Sequence, residues 1–311
     1  MEEKKNGLSR RNFLINGSTA MGAIGLAAGL SAGSLLSPRE AGAANLVLGT
    51  ADFPIPNRDL NVEKVREYGY YFYQNPGGCG LGSARALIVG FLDAHAAAGT
   101  DPKGWAQIPL NLYGWCNGGG PNGWGTLCGS IAGSVGVLTL INLQGTLGST
   151  VFEWYVKQNF PMANLDNYIP PTPGSLPAYA SVGLTGTTPP TPIRDVDVLG
   201  HAVSDSPLCH VSVSKWLTAA GANLDTAFGG KNVKKDRCAK VTADTAAYTA
   251  LLINNYRVGI RPAAWAKPDA MAGCYDCHDA GGLSTSRKDS QVKMDCAPCH
   301  TEPMAGHRRT R

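Results

Sequence analysis

Cys274-Tyr-Asp-Cys277-His278 and Cys296-Ala-Pro-Cys299-His300 are the residues of this chain whose types and spacing most clearly specify chemistry. Each is a C-x-x-C-H box, the pattern through which a c-type haem is attached. Two thiols three positions apart on one helical turn can each bond a vinyl group, and the adjoining histidine is carried over the ring to meet the iron. Cys274, Cys277, Cys296 and Cys299 are therefore the expected covalent attachment points of two haem c groups, with His278 and His300 as proximal iron ligands. The same four cysteines also fit the paired C-x-x-C pattern of a zinc ribbon. A site filled by four thiolates has no use for a histidine directly after both pairs, and that favours haem.

Five cysteines lie outside the boxes: Cys79, Cys116, Cys128, Cys209 and Cys238. Disulfides are the default in an exported chain, but five leaves one thiol over. An iron–sulfur cluster is the competing account. Several of these cysteines sit at expected helix starts or in a Gly-rich loop, where backbone amides can donate to sulfide and ease the burial of negative charge. Spacing alone leaves both open. The run Cys128-Gly129-Ser130-Ile131-Ala132-Gly133 resembles the Cys-Gly-Ala-x-x-Gly element of the C_GCAxxG_C_C redox proteins, with Cys79 upstream and Cys209 and Cys238 downstream in matching order. With two haem boxes added to such a body, the chain resembles the split-Soret cytochromes c over nearly all of its length beyond the N-terminal signal. The resemblance implies a mainly helical fold, a homodimer with its haems gathered near the interface, and a [2Fe–2S] site on the cysteine-bearing body. It carries Cys128, Cys209 and Cys238 over as cluster ligands, with Cys79 or Cys116 as the fourth. Ser130 stands where that family has alanine.

The sixth ligand on each iron separates a carrier from a catalyst. His201 and His210 are the favoured distal ligands, because they flank the Asp205-to-Cys209 segment in a histidine-poor chain. His95 reads as a helix-surface residue and His307 as a tail residue. Met271, Met294 and Met304 lie near the boxes, and methionine ligation would raise the potential where paired histidines would keep it low. With both axial positions filled, the expected function is single-electron transfer to redox partners that the sequence does not name. The alternative is a haem enzyme of peroxidase or nitrogen-oxide reductase type, with one iron left open.

The N-terminus sets the compartment. Lys4 and Lys5 precede Ser9-Arg10-Arg11-Asn12-Phe13-Leu14, a mildly apolar Gly- and Ala-rich stretch runs from about Ile15 to Leu36, and Ala41-Gly42-Ala43 offers a cleavage site. This is the pattern of a twin-arginine signal over residues 1–43, and it implies the periplasm. The alternative, a membrane anchor, is disfavoured by the glycines and polar residues that dilute the stretch, and no membrane anchor is expected after cleavage. Twin-arginine export moves folded chains, so the body could take up a cytoplasm-made cofactor before haem is joined. The formal charge of +4 arises largely from the signal and the Arg308-Arg309-Thr310-Arg311 end, which gives no reason to expect nucleic-acid binding.

The elements that must position these groups read as mainly α: a helical N-terminal body with Gly- and Pro-rich loops over 44–262, then a C-terminal dihaem-binding segment over 263–311 with little regular structure. Val62, Val65, Tyr68 and Phe72 predict a helix over Leu60 to Gln74, capped by Asn61 and weakened by Gly69. Further helices are predicted over Ala84 to Ala98, Cys128 to Leu143, Thr150 to Asn159, Ser206 to Ala220 with Pro207 at its first position, and Thr242 to Tyr256. Gly114 to Gly125 reads as a loop held for a local purpose. Prolines crowd about 161–198, as a passive linker or a dimer-wrapping arm.

Overall fold

Asn61 begins the first long helix: its side chain accepts the Lys64 backbone N–H at 3.1 Å and caps α1, Val62–Phe72. The computed structural model describes residues 49–266, apart from 163, 173, 182, 183 and 185–189, together with Lys293. The expected signal, both haem boxes, His307 and the tail methionines lie outside the described residues. α1 buries Val65, Tyr68 and Phe72, and also Tyr70 and Tyr71. Gly69 does not weaken the helix. A Cβ there would stand 2.8 Å from the Cα of Ala243, so its absence lets two helices cross closely.

α2 is Cys79–Ala98, α3 Gly129–Leu140, α4 Gln144–Lys157, α5 Cys209–Ala220 and α6 Val233–Arg257. The described body is mainly α, as the sequence implies. α6 packs on α1, α2, α3 and α4, and α2 packs on α1 and α3. The largest buried cluster lies among these helices, with Leu87, Ile88, Phe91, Val137, Leu147 and Ile253 in it. Several boundaries differ from expectation. α2 starts at Cys79 rather than Ala84 because its opening glycines are contact points; a Cβ on Gly82 would meet the Tyr73 backbone N at 2.9 Å. α4 starts at Gln144, and its second glycine, Gly148, is buried. α5 starts at Cys209, not Ser206. Pro207 precedes it, and its carbonyl accepts the Cys128 N–H at 2.9 Å. α6 starts at Val233, nine residues before the expected Thr242, with Asn232 capping the Lys235 N–H.

The early turns of α6 escape an apolar-periodicity reading because their buried face is charged. Asp236, Lys240 and Asp244 recur every four residues, and all are buried. Asp236 accepts from Tyr70 Oη at 2.6 Å and from the Ile193 N–H at 3.2 Å, and pairs with Lys240. Lys240 also donates to the Ile193 carbonyl. Asp244 accepts from Tyr168 Oη at 2.6 Å and pairs with Arg66. This ladder holds the proline-rich segment against α6. Leu165, Tyr168, Ile193 and Leu199 join Tyr70, Trp216 and Val233 in a second buried cluster. β1 (Asn159–Phe160) pairs antiparallel with β2 (Ala202–Val203) across the ends of that segment, and β3 (Ala227–Phe228) with β4 (Lys231–Asn232) forms a small hairpin before α6. Among the described residues no helix is long and apolar enough to cross a membrane. Lys293 donates to Ser149 Oγ of α4 at 2.9 Å, and its ammonium faces the Trp265 ring at 5.4 Å.

Candidate metal centre

Four of the five cysteines meet at one place. Cys79 is the first residue of α2, Cys128 the N-cap of α3, Cys209 the first residue of α5, and Cys238 lies in the second turn of α6. All four line a cavity of about 120 Å³. Three helix N-termini therefore turn their positive dipole ends toward the same space, an arrangement suited to negative charge. Cys116 is not in the cavity wall. It is buried behind Gly80, its Sγ donates to the Tyr113 carbonyl at 3.0 Å, and a Cβ on Gly80 would come within 2.2 Å of that sulfur. Among the described residues all five thiols are free of disulfides. No group of three His, Cys, Asp or Glu side chains among them is tight enough to hold a single metal ion; the thiols surround a volume instead.

The Gly-rich loop has a local purpose: it ties two cysteine-bearing helix starts together. Asn117 Oδ1 accepts the Gly80 and Leu81 N–H groups at 3.0 and 3.1 Å, capping α2 just after Cys79. The Gly118 N–H reaches the Cys79 sulfur. The Cys209 N–H is bound to the Thr126 carbonyl at 2.6 Å. Gly119 has φ +78°, and a Cβ there would lie 2.5 Å from the Cβ of Cys209. The glycines of the Cys128-to-Gly133 run have an equally direct reason. A Cβ on Gly129 would meet Cys79 Sγ at 2.5 Å, and one on Gly133 would meet the Gly80 carbonyl at 2.3 Å. Only bare backbone lets α2 and α3 cross closely enough to put Cys79 and Cys128 side by side.

Burial pushes the Cys79 thiol well up and Cys209 up to about 12, with neighbouring sulfurs adding to both, Cys128 foremost. Cys116 is raised to about 11, again chiefly by burial. The cavity also holds a cation. Arg237 is 2 % exposed, donates from Nη2 to Ser212 Oγ at 2.9 Å, and has no partner for Nε. Cys238, Tyr155 and Cys128 are the groups that favour its charge, and among the described residues no carboxylate pairs with it. Hydroxyls complete the wall. Ser130 Oγ is 3.2 Å from Cys128 Sγ, Tyr155 Oη is 3.0 Å from Ser212 Oγ and also adjoins Cys128, and Tyr73 adjoins Cys238.

His210 follows Cys209 on α5 and is exposed; its Nδ1 is held by the Gly125 carbonyl at 2.8 Å. His201 Nδ1 is held in the same way by the Pro161 carbonyl. Both rings are thereby fixed with Nδ1 as donor, which leaves the Nε2 lone pair available for a metal. His95 is different, and it is no surface residue. It is 2 % exposed, with Nδ1 on Thr100 Oγ1 at 2.8 Å and Nε2 on the Pro54 carbonyl at 3.0 Å, so both ring nitrogens are engaged in packing the end of α2.

No family model matches the chain. The curated split-Soret cytochrome c of Desulfovibrio desulfuricans (strain ATCC 27774) is 26% identical over 291 residues, which is 89% of this chain and 91% of that protein. The chain is thus similar to the split-Soret cytochromes c over most of its length. A solved structure that describes a novel iron centre in the split-Soret cytochrome c from D. desulfuricans ATCC 27774 has the same fold, with a TM-score of 0.54 and 22% identity over 81% of this chain and 92% of that one.

On this split-Soret fold the cavity wall includes residues that spacing arguments passed over: Tyr73, Tyr155, Ser212 and Arg237. Arg237 had a signal, since it directly precedes Cys238 and closes the charged run Lys234-Lys235-Asp236-Arg237. Tyr155 and Ser212 had none, because each looks like an ordinary residue of an amphipathic helix.

Proposed function

We propose that this chain is an exported dihaem c-type cytochrome that passes single electrons between two bis-histidine haems and a [2Fe–2S] centre held by Cys79, Cys128, Cys209 and Cys238. The observation that carries the cluster is the convergence of four thiols on a small cavity that also buries the Arg237 guanidinium, which has no carboxylate partner among the described residues. A buried cation without a carboxylate calls for an anion, because an isolated charge in low dielectric is costly. A cluster of two irons and two sulfides bound by four thiolates supplies that anion, and with it a one-electron couple. The protein's own part is to orient the sulfurs from three helix starts, to donate the Gly118 N–H and nearby hydroxyls to them, and to offset their charge with Arg237 and Lys234. Since burial makes the Cys79 and Cys209 thiols resist ionising, loading must displace their protons and is favoured by rising pH.

His278 and His300 serve as proximal ligands and His201 and His210 as distal ones. The Nδ1 anchors at Pro161 and Gly125 support that role, because they orient Nε2 and raise its basicity. Filled axial positions exclude substrate and leave electron transfer as the activity. The twin-arginine pattern supports a periplasmic location, and the sparse surface charge suits a homodimer. Metal and sulfide analysis of protein purified without oxygen tests the reading. Two haems per chain by pyridine haemochrome, with two further irons and two acid-labile sulfides, are expected. Haem without sulfide would remove the cluster from the proposal, and rapid carbon monoxide binding to half the haem would replace the carrier with an enzyme.

A further inference from the structure

Cys128 differs from the other three sulfurs in the number of hydroxyls around it. Ser130 is fully buried: its hydroxyl lies 3.2 Å from Cys128 Sγ and accepts from Thr245 Oγ1 at 3.4 Å. Thr245 Oγ1 also donates to the Val241 carbonyl at 2.7 Å, and with Thr245 on the donor side the Ser130 hydrogen is left for the sulfur. The Ser130 O–H therefore belongs to Cys128. On the other side stands a chain of donors. Arg237 Nη2 donates to Ser212 Oγ at 2.9 Å, Tyr155 Oη donates to the same oxygen at 3.0 Å, and Tyr155 Oη also adjoins Cys128. Hydroxyl hydrogens rotate to suit their partners. Once Cys128 is a thiolate, the pair can turn both hydrogens toward it, so that a permanent cation stands at the far end of a donor chain ending on sulfur.

We infer that Ser130 and Tyr155 are positioning residues that raise the reduction potential of the four-thiolate centre by donating to Cys128. The inference rests on the [2Fe–2S] reading above. Reduction transfers one electron from a ferrous haem, which becomes ferric, to the centre; no bond breaks and no proton moves. The reduced centre carries one more negative charge, and donors to its sulfur stabilise that charge more than they stabilise the oxidised form. Alanine at position 130, as in the motif this run resembles, cannot make the contact. This chain thus has a hydroxyl on a ligand sulfur that the alanine-bearing pattern lacks.

The test is a redox titration of the full-length, haem-loaded protein, followed by electron paramagnetic resonance of the iron–sulfur signal and by absorbance of the haems. Ser130→Ala removes the donor with almost no change of volume. It should keep the wild-type iron and sulfide content while its iron–sulfur midpoint moves to a more negative potential and the haem midpoints stay in place. Tyr155→Phe should move it in the same direction, and the double variant further than either. Unchanged iron–sulfur midpoints in both single variants, with the cluster retained, would overturn the inference and leave the proposed function standing. Absence of sulfide from the wild-type protein would overturn both. A role confined to packing would lower thermal stability without moving the potential, and that result also counts against it.

Discussion

Cys79 and Cys116 are equally buried-looking thiols on paper, yet their surroundings differ in kind. Cys79 faces the cavity and receives the Gly118 N–H; Cys116 faces away and is satisfied by the Tyr113 carbonyl. Cys79→Ser should therefore lose the iron and acid-labile sulfide beyond haem, whereas Cys116→Ser should retain both at wild-type stoichiometry. Retention of iron and sulfide in Cys79→Ser, with their loss in Cys116→Ser, would mean that the fourth sulfur is not Cys79. The sequence placed the two on the same footing because the choice depends on which way a side chain leaves a glycine-rich turn. His95 was misread for a related reason: a lone histidine near a helix end looks solvated until Pro54 and Thr100, both distant from any motif, close over it.

At the scale of helices, glycine spacing governs whether the site exists. Gly129 and Gly133 let α3 lie directly against the start of α2, and the Gly133 position has the Gly80 carbonyl 2.3 Å from where a Cβ would be. Gly133→Ala should destabilise the protein by about 1–3 kcal/mol through overpacking. The cost should appear in chemical denaturation together with loss of non-haem iron, because separating the helices also separates Cys79 from Cys128. α1, with its Asn61 cap and apolar stripe, was legible in the sequence. The first two turns of α6 were not, because Asp236, Arg237 and Lys240 give no apolar periodicity; their burial is repaid by partners some tens to hundreds of residues away in the chain, such as Tyr70 and Ile193.

For the whole molecule, the charged ladder on α6 fastens the proline-rich segment that leads from β1 to β2. Asp236→Ala would leave Lys240 buried without its carboxylate, and breaking a buried pair in this way costs about 3–5 kcal/mol. Urea denaturation should register that loss, while replacing an exposed pair such as Asp166 with Arg194 should change stability by less than about 1 kcal/mol. If Asp236→Ala proved as stable as wild type, the ladder would not be what fastens the segment.

Arg237 has one more consequence, for the life history of the chain. Without iron and sulfide the body encloses a positive group beside the Cys79 and Cys209 thiols, which burial keeps protonated, so such a copy is an unsettled one. If the N-terminal segment acts as the proposed twin-arginine signal, this makes cofactor acquisition a form of quality control. Cells starved of iron should keep the precursor behind in the cytoplasm rather than release it empty.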